Sequence, residues 1–171
     1  MLGESAAIAG VRDLIARVAP TEAPVLVSGA SGTGKTVIAR LIHRGSGRAD
    51  GPLVTLHAET ADSATIAERL AAALAGTLVI DHIDRLPRRL QSDLAQQVDG
   101  ARVIATTRLD RAELRAAVGE DLLYRVNTIE IRVPPLAERG GDALLLAQHF
   151  RSLFQHRHGK LGGPIADAAE I

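Results

Sequence analysis

The residues Gly29-Ala30-Ser31-Gly32-Thr33-Gly34-Lys35-Thr36 constrain this chain more than any other stretch. They fit the spacing G-x-x-x-x-G-K-[ST] without a gap. The apolar run Val25-Leu26-Val27 precedes them, and a helical pattern, Val37-Ile38-Ala39 through Leu41-Ile42, follows. Strand, glycine-rich loop and helix in that order is the context in which the spacing has physical meaning. Glycines let backbone N–H groups turn inward around phosphate oxygens, and the helix N-terminus adds partial positive charge. In that arrangement Lys35 reaches the β- and γ-phosphates, and Thr36 places its hydroxyl on Mg²⁺. Gly29, Ala30, Ser31, Gly32, Thr33, Gly34, Lys35 and Thr36 are therefore the candidate residues for binding ATP or ADP.

The rest of the chain alternates strands with helices. Short apolar runs predict strands over 24–28, 53–57, 77–81, 102–106 and 128–132. Helical spacing predicts helices over 6–19, from the loop to about 43, over 62–74 with Asp62 or Ser63 as cap, over 87–98, over 110–118 with Asp110 as cap, and over 144–154. Such alternation implies an α/β fold with a central five-stranded parallel sheet flanked by helices. In these sheets ligands bind at the carboxyl ends of the strands. Asp81 ends the apolar run Leu78-Val79-Ile80, so it stands where an acid orders Mg²⁺ with the loop hydroxyl. An ordinary strand-end acid is the simpler alternative for Asp81.

A chain of 171 residues is long enough for one domain with an appendage. Lys+Arg and Asp+Glu are 20 each, so no global field favours nucleic acid or an anionic membrane. Cysteine is absent, which excludes disulfides and thiolate metal sites and fits the cytoplasm. No run approaches the ~18 apolar residues of a membrane helix, and the start Met1-Leu2-Gly3-Glu4-Ser5 lacks the basic and apolar regions of a signal peptide. Aromatics at 2% argue against stacking platforms for single-stranded nucleic acid. Arg85, Arg88 and Arg89 form a local basic cluster that reads as a solvated helix start. His43, His149, His156 and His158 read as helix-surface residues. The tail 159–171 is weakly patterned.

Several segments, in order along the chain, resemble one family. They are Val18-Ala19-Pro20 with Ala23-Pro24-Val25-Leu26-Val27, the loop core Ser31-Gly32-Thr33-Gly34-Lys35, the helix Ile38-Ala39-Arg40-Leu41-Ile42-His43, and the acidic motif Gly76-Thr77-Leu78-Val79-Ile80-Asp81 with Leu86-Pro87. Val103-Ile104-Ala105-Thr106-Thr107, Asp121-Leu122-Leu123-Tyr124-Arg125-Val126-Asn127 and Pro134-Pro135-Leu136-Ala137-Glu138-Arg139 complete the set. From Leu2 to about Phe154 the chain resembles the AAA+ domain of the NtrC-type, sigma-54-dependent transcription activators. The resemblance implies a P-loop NTPase core over residues 1–140 and the start of a truncated helical lid over 141–171. It also implies an ATP-binding module of a bacterial transcription or response regulator of the two-component kind, self-association into a ring, and contact with the transcription machinery. No DNA-binding domain is legible in these residues.

The departures from the family matter as much. The glutamate that polarises the attacking water aligns with His82, and the asparagine that switches it aligns with His57. The two arginines that act on a neighbour's nucleotide align with Gly119 and Arg125, so one remains. The sensor asparagine or histidine aligns with Arg108, which reads equally as a phosphate sensor or a solvent-facing arginine. Arg125 is an ordinary ion-pair residue unless a ring forms. The family's GAFTGA insertion has no trace between Ala58 and Gly76. Binding elements intact and catalytic elements altered imply nucleotide binding with weak or absent hydrolysis through His82, Arg108 and Arg125, or else a non-hydrolysing, nucleotide-dependent protein-interaction domain. His57, His82 and Asp81 are also candidates for a transition metal, with simple hydrogen bonding as the alternative.

Overall fold

The computed structural model describes residues 2–98 and 100–158, so the tail 159–171 and the side chain of His158 lie outside it. The strands are β1 Val25–Ser28, β2 Leu53–His57, β3 Thr77–Asp81, β4 Arg102–Thr107 and β5 Ile129–Arg132. The helices are α1 Ala6–Val18, α2 Lys35–Arg44, α3 Ser63–Ala73, α4 Arg88–Gln97, α5 Arg111–Ala117, α6 Glu120–Val126 and α7 Asp142–His158. Short 3-10 turns follow β2 at Ala58–Thr60, follow β3 at Ile83–Arg85 and precede α7 at Leu136–Glu138.

All five strands are parallel, in the order β2-β3-β4-β1-β5. After β1 the chain crosses to the far edge, returns through β3 and β4 to β1, and then adds β5 on the other side. That reversal opens a crevice at the carboxyl ends of β1 and β4, and the glycine-rich loop lies there. β1 and β4 are buried throughout, as strands covered on both faces must be. Alternation divides their side chains between two cores. Leu26, Ile80, Val103 and Ala105 pack toward α3, α4, α5 and α6 through Ile66, Leu70, Leu94, Leu114 and Leu122. Val25, Val27, Val79 and Ile104 pack toward α1 and α2 through Val11, Ile15, Ile38 and Ile42.

Local chemistry sets the ends of the elements. Asp62 caps α3 by accepting the Thr65 N–H, and Asp110 forms a reciprocal capping box with Glu113 on α5. Arg102 opens β4 yet is buried, donating to the carbonyls of Ala19 at 2.6 Å and Val18 at 3.0 Å at the C-terminus of α1. A cation there satisfies orphan carbonyls and complements the helix dipole. Asp142, at the start of α7, accepts from the N–H groups of Glu4 and Ser5 and from the Ser5 hydroxyl, tying α7 to the N-cap of α1.

One helix was not assigned from sequence, and one expectation changes. The segment 120–126 is a helix, α6, although seven residues carry too little pattern to read alone; Leu122 and Val126, one turn apart, are buried toward α4 and stabilise it. His43 is not on the helix surface: it is 6% exposed, with Nδ1 hydrogen-bonded to the Thr77 hydroxyl at 2.9 Å. It shares the inward face of α2 with Ile38, Ala39 and Ile42. His149 and His156 are exposed, as expected.

Burial, with Arg102 and Arg44 nearby, pushes the His43 pKa below its usual value despite an opposing interaction with the Gly51 backbone. The unfolded chain therefore takes up this proton first, and the stabilisation, present above pH ~6.5, is lost as pH falls toward the folded value. Urea unfolding at about pH 7.5 and 5.5 should show a larger loss in the parent than in His43→Gln; equal losses would remove His43 as the cause.

Candidate functional site

The loop between β1 and α2 owes its shape to glycine. Gly29 has φ 153°, and a Cβ built there would lie 2.7 Å from the Val133 carbonyl oxygen, so no side chain fits against the segment that leaves β5. Gly34 has φ 99° and forms the N-cap of α2, with no side chain capping the helix. The amides of the first turn are thus presented to an incoming anion.

Lys35 is 8% exposed, and its ammonium donates to the carbonyls of Gly29 at 2.8 Å and Ala30 at 2.9 Å. Burial lowers its pKa; Asp81 and Asp84 act in the opposite direction and Arg108 in the same one. These three side chains therefore share an electrostatic neighbourhood with Lys35. Thr33 closes the loop through its hydroxyl to the Ala30 carbonyl, 2.8 Å. Arg139, buried, braces the loop from outside, donating to the carbonyls of Thr33 at 2.8 Å and Pro134 at 2.9 Å. Ala30, Ser31 and Gly32 at the loop tip and Thr36 on α2 are exposed.

Asp81 stands at the carboxyl end of β3. One oxygen accepts the Thr106 hydroxyl at 2.7 Å, and the other lies 3.6 Å from His57 Nδ1. His57 is paired in register with Asp81 and is mostly exposed. His82 adopts a left-handed backbone, φ 56°, and its N–H donates to the Thr106 hydroxyl at 3.1 Å. Its Nδ1 is buried and has no hydrogen-bond partner among the described residues. Thr106 thus joins Asp81 to the His82 backbone. Among the described residues no three His, Cys, Asp or Glu side chains are placed to hold a metal ion, so His57, His82 and Asp81 do not form the transition-metal cluster their spacing allowed.

Arg108 is exposed after β4 and lines a hollow of about 570 Å³ with Gly29, Ala30 and Arg132. Arg125 is elsewhere: half-buried on α6, it lines a second hollow of about 640 Å³ with Ser92, Asp121 and Thr128, to which no loop residue contributes. Of the sequence candidates, the structure thus gathers the loop, Asp81, His82 and Arg108 at one end of the sheet and leaves Arg125 on another surface. Asp84, Thr106, Thr107 and Arg139 were not foreseen at the site. The motif Asp81-His82-Ile83-Asp84 carried a signal in its second acid, and Arg139 lay inside a segment already singled out. Arg85, from the basic cluster, pairs with Glu59 at 2.6 Å.

A sequence model of the family described as the Sigma-54 interaction domain matches residues 2–136. The transcriptional regulatory protein ZraR of Salmonella typhimurium is 34% identical over 197 residues, covering 94% of this chain and 45% of ZraR. That alignment is longer than this chain, so ZraR carries residues within the matched span that have no counterpart here. Between β2 and β3 this chain has only a 3-10 turn and the 11-residue α3. NtrX from Brucella abortus in complex with ATP superposes with a TM-score of 0.89 at 29% identity, covering 99% of this chain and 46% of that one. The P-loop NTPase domain of a sigma-54 transport activator from E. coli matches with a TM-score of 0.64 at 27% identity, covering 79% of this chain and 99% of that one. The chain spans less than half the length of ZraR and of the NtrX chain.

A parallel sheet in this order, with a glycine-rich loop after β1, defines a P-loop NTPase of the AAA+ class. Within that class the chain belongs to the Sigma-54 interaction domain family, and it resembles the AAA+ domains of sigma-54-dependent transcriptional regulators. No helix among the described residues is long and apolar enough to cross a membrane.

Proposed function

We propose that this chain binds ATP and ADP with Mg²⁺ through residues 29–36, as the AAA+ module of a bacterial transcription regulator of the response-regulator kind acting in the cytoplasm, and that it hydrolyses ATP slowly. Lys35 carries the reading. A buried ammonium is costly, and this one is held by loop carbonyls where phosphate oxygens would replace them. Thr36 and Asp81 suit Mg²⁺, which takes hard oxygen ligands and shares them with substrate phosphates. Held by Thr36 and Asp81, the ion would supply positive charge that offsets the charge developing on the phosphates.

His82 occupies the position of the family's water-polarising glutamate, Arg108 would sense the γ-phosphate, and Arg125 would act on the nucleotide of a neighbouring copy in a ring. The placement of Arg125 on a surface apart from the loop of its own chain favours that last role. A general base is worth roughly 10²–10⁴ in rate and a trans-acting arginine roughly 10³–10⁵. An imidazole in place of a carboxylate, and glycine at position 119, make turnover slow. The buried, unpartnered Nδ1 of His82 favours a second reading, a nucleotide-dependent interaction domain without hydrolysis. Under either reading the partner in the transcription machinery is met without the family's insertion. The domain boundary falls near residue 140, with 141–171 beginning a helical lid; the start of α7 at Asp142 supports it.

The test is a fluorescent-nucleotide titration with and without Mg²⁺, with mass measurement in the presence and absence of ATP. Saturable, Mg²⁺-dependent binding and a nucleotide-dependent rise in mass are expected; absence of binding refutes the reading. Arg139→Ala removes a charged hydrogen bond worth roughly 1.5–3 kcal/mol from the loop. It should weaken ATP binding about tenfold or more in the same titration, whereas unchanged affinity would show that the loop holds its shape without the brace.

A further inference from the structure

β4 ends in two adjacent threonines, and each holds a different acid. Thr106 donates to Asp81 and Thr107 to Asp84, both at 2.7 Å. The Thr107 hydroxyl also accepts the Leu109 N–H at 3.1 Å, which fixes its orientation. Asp84 is half-buried in the 3-10 turn after β3, and its charge acts on the Lys35 ammonium alongside those of Asp81 and Arg108. Thr107 stands in register with Ser28, and its carbonyl accepts the Gly29 N–H at 3.2 Å, so the threonine that holds Asp84 adjoins the start of the phosphate loop. Asp81 is committed to the ion with Thr36 in the reading above. Position 82, between Asp81 and Asp84 in sequence, offers an imidazole with a buried Nδ1 and no carboxylate.

We infer that Asp84 is the carboxylate that polarises the attacking water when ATP is hydrolysed; this rests on the nucleotide-binding reading above. Oδ1 is held by Thr107, which leaves Oδ2 for the water molecule. As the water oxygen attacks the γ-phosphorus, Oδ2 accepts its proton. The bond from the γ-phosphorus to the bridging oxygen breaks, and its electron pair leaves with ADP. Inorganic phosphate forms, and Asp84 returns the proton to solvent. Thr107 is a positioning residue in this step.

The experiment combines phosphate release by the full chain with ATP and ADP titrations. Asp84→Asn should lower release at least about 100-fold, a loss at least about tenfold greater than that of His82→Gln. Removing a negative charge that faces the γ-phosphate should also tighten ATP binding relative to ADP, roughly threefold, and nucleotide recovered from the variant should remain ATP. Thr107→Val should lower release about tenfold, with Thr107→Ser restoring it, which keeps the inference testable should Asp84→Asn fold poorly. Release by Asp84→Asn within about threefold of the parent overturns the inference. So does a greater loss in His82→Gln, or an equal weakening of ATP and ADP in Asp84→Asn. A parent that binds ATP and releases no phosphate overturns it while leaving the binding reading intact; a parent that binds no nucleotide overturns both.

Discussion

Lys35→Ala is expected to abolish the thermal stabilisation that Mg–ATP confers on the parent. The ammonium makes two charged hydrogen bonds to loop carbonyls without nucleotide, and the same donors would turn to phosphate oxygens with it. Bonds to a charged group contribute roughly 1.5–3 kcal/mol each, so losing two weakens binding by about 10²–10⁴. At ATP a hundred times its Kd the parent gains about 2.7 kcal/mol, a shift of roughly 5–10 °C for a domain of this size. The variant, at the same concentration, should shift by less than about 2 °C. The nucleotide-free variant should unfold within about 1 kcal/mol of the parent, because burial already disfavours the charge that the substitution removes. A differential scan with and without Mg–ATP reads both quantities. A variant that still shifts like the parent would show that nucleotide is held elsewhere.

The strands were legible because each is a short apolar run with polar or glycine punctuation. Thr77–Asp81 and Leu53–His57 fall where the runs do, and the other three differ by one residue at one end. The loop was legible because its glycines have backbone reasons, which spacing encodes. Asp62 and Asp110 were legible as caps because a capping side chain acts within three residues of its own position. What failed was burial and reach. His43 lies near the end of α2, where the face of a polar residue depends on the partner across the interface, here Thr77 on another strand. Arg102 reads as the charged lip of a strand, yet its long side chain closes the end of α1 from more than eighty residues away. Asp84 and Arg139 are held by partners distant in sequence, Thr107 on β4 and Thr33 in the loop, and no local pattern carries such a pairing. Arg125 was legible as a residue, but the role proposed for it depends on a second copy of the chain, which one sequence does not position.

His82→Glu is expected to raise phosphate release, by about tenfold or more. The backbone already supports the position: the N–H of residue 82 is held by Thr106, the same hydroxyl that orients Asp81. A carboxylate there would stand beside Asp81, the proposed ligand of the ion, where a positioned general base is worth roughly 10²–10⁴. Two costs reduce the gain. Residue 82 is left-handed, a conformation that histidine adopts somewhat more readily than glutamate. A partly buried carboxylate also loses hydration that the imidazole did not need. Both fall on stability as much as on catalysis, so the variant should unfold at lower urea while ATP affinity stays within about threefold of the parent. The decisive measurement is the double variant. If Asp84 handles the water in the parent, a glutamate at 82 takes over that task, and Asp84→Asn should cost much less in the His82→Glu background than in the parent. Residues acting on one step are non-additive in this way. Additive losses would place Asp84 outside the reacting centre, and a His82→Glu rate equal to or below the parent's would mean that slow turnover arises from something other than the base, the glycine at 119 being the next candidate.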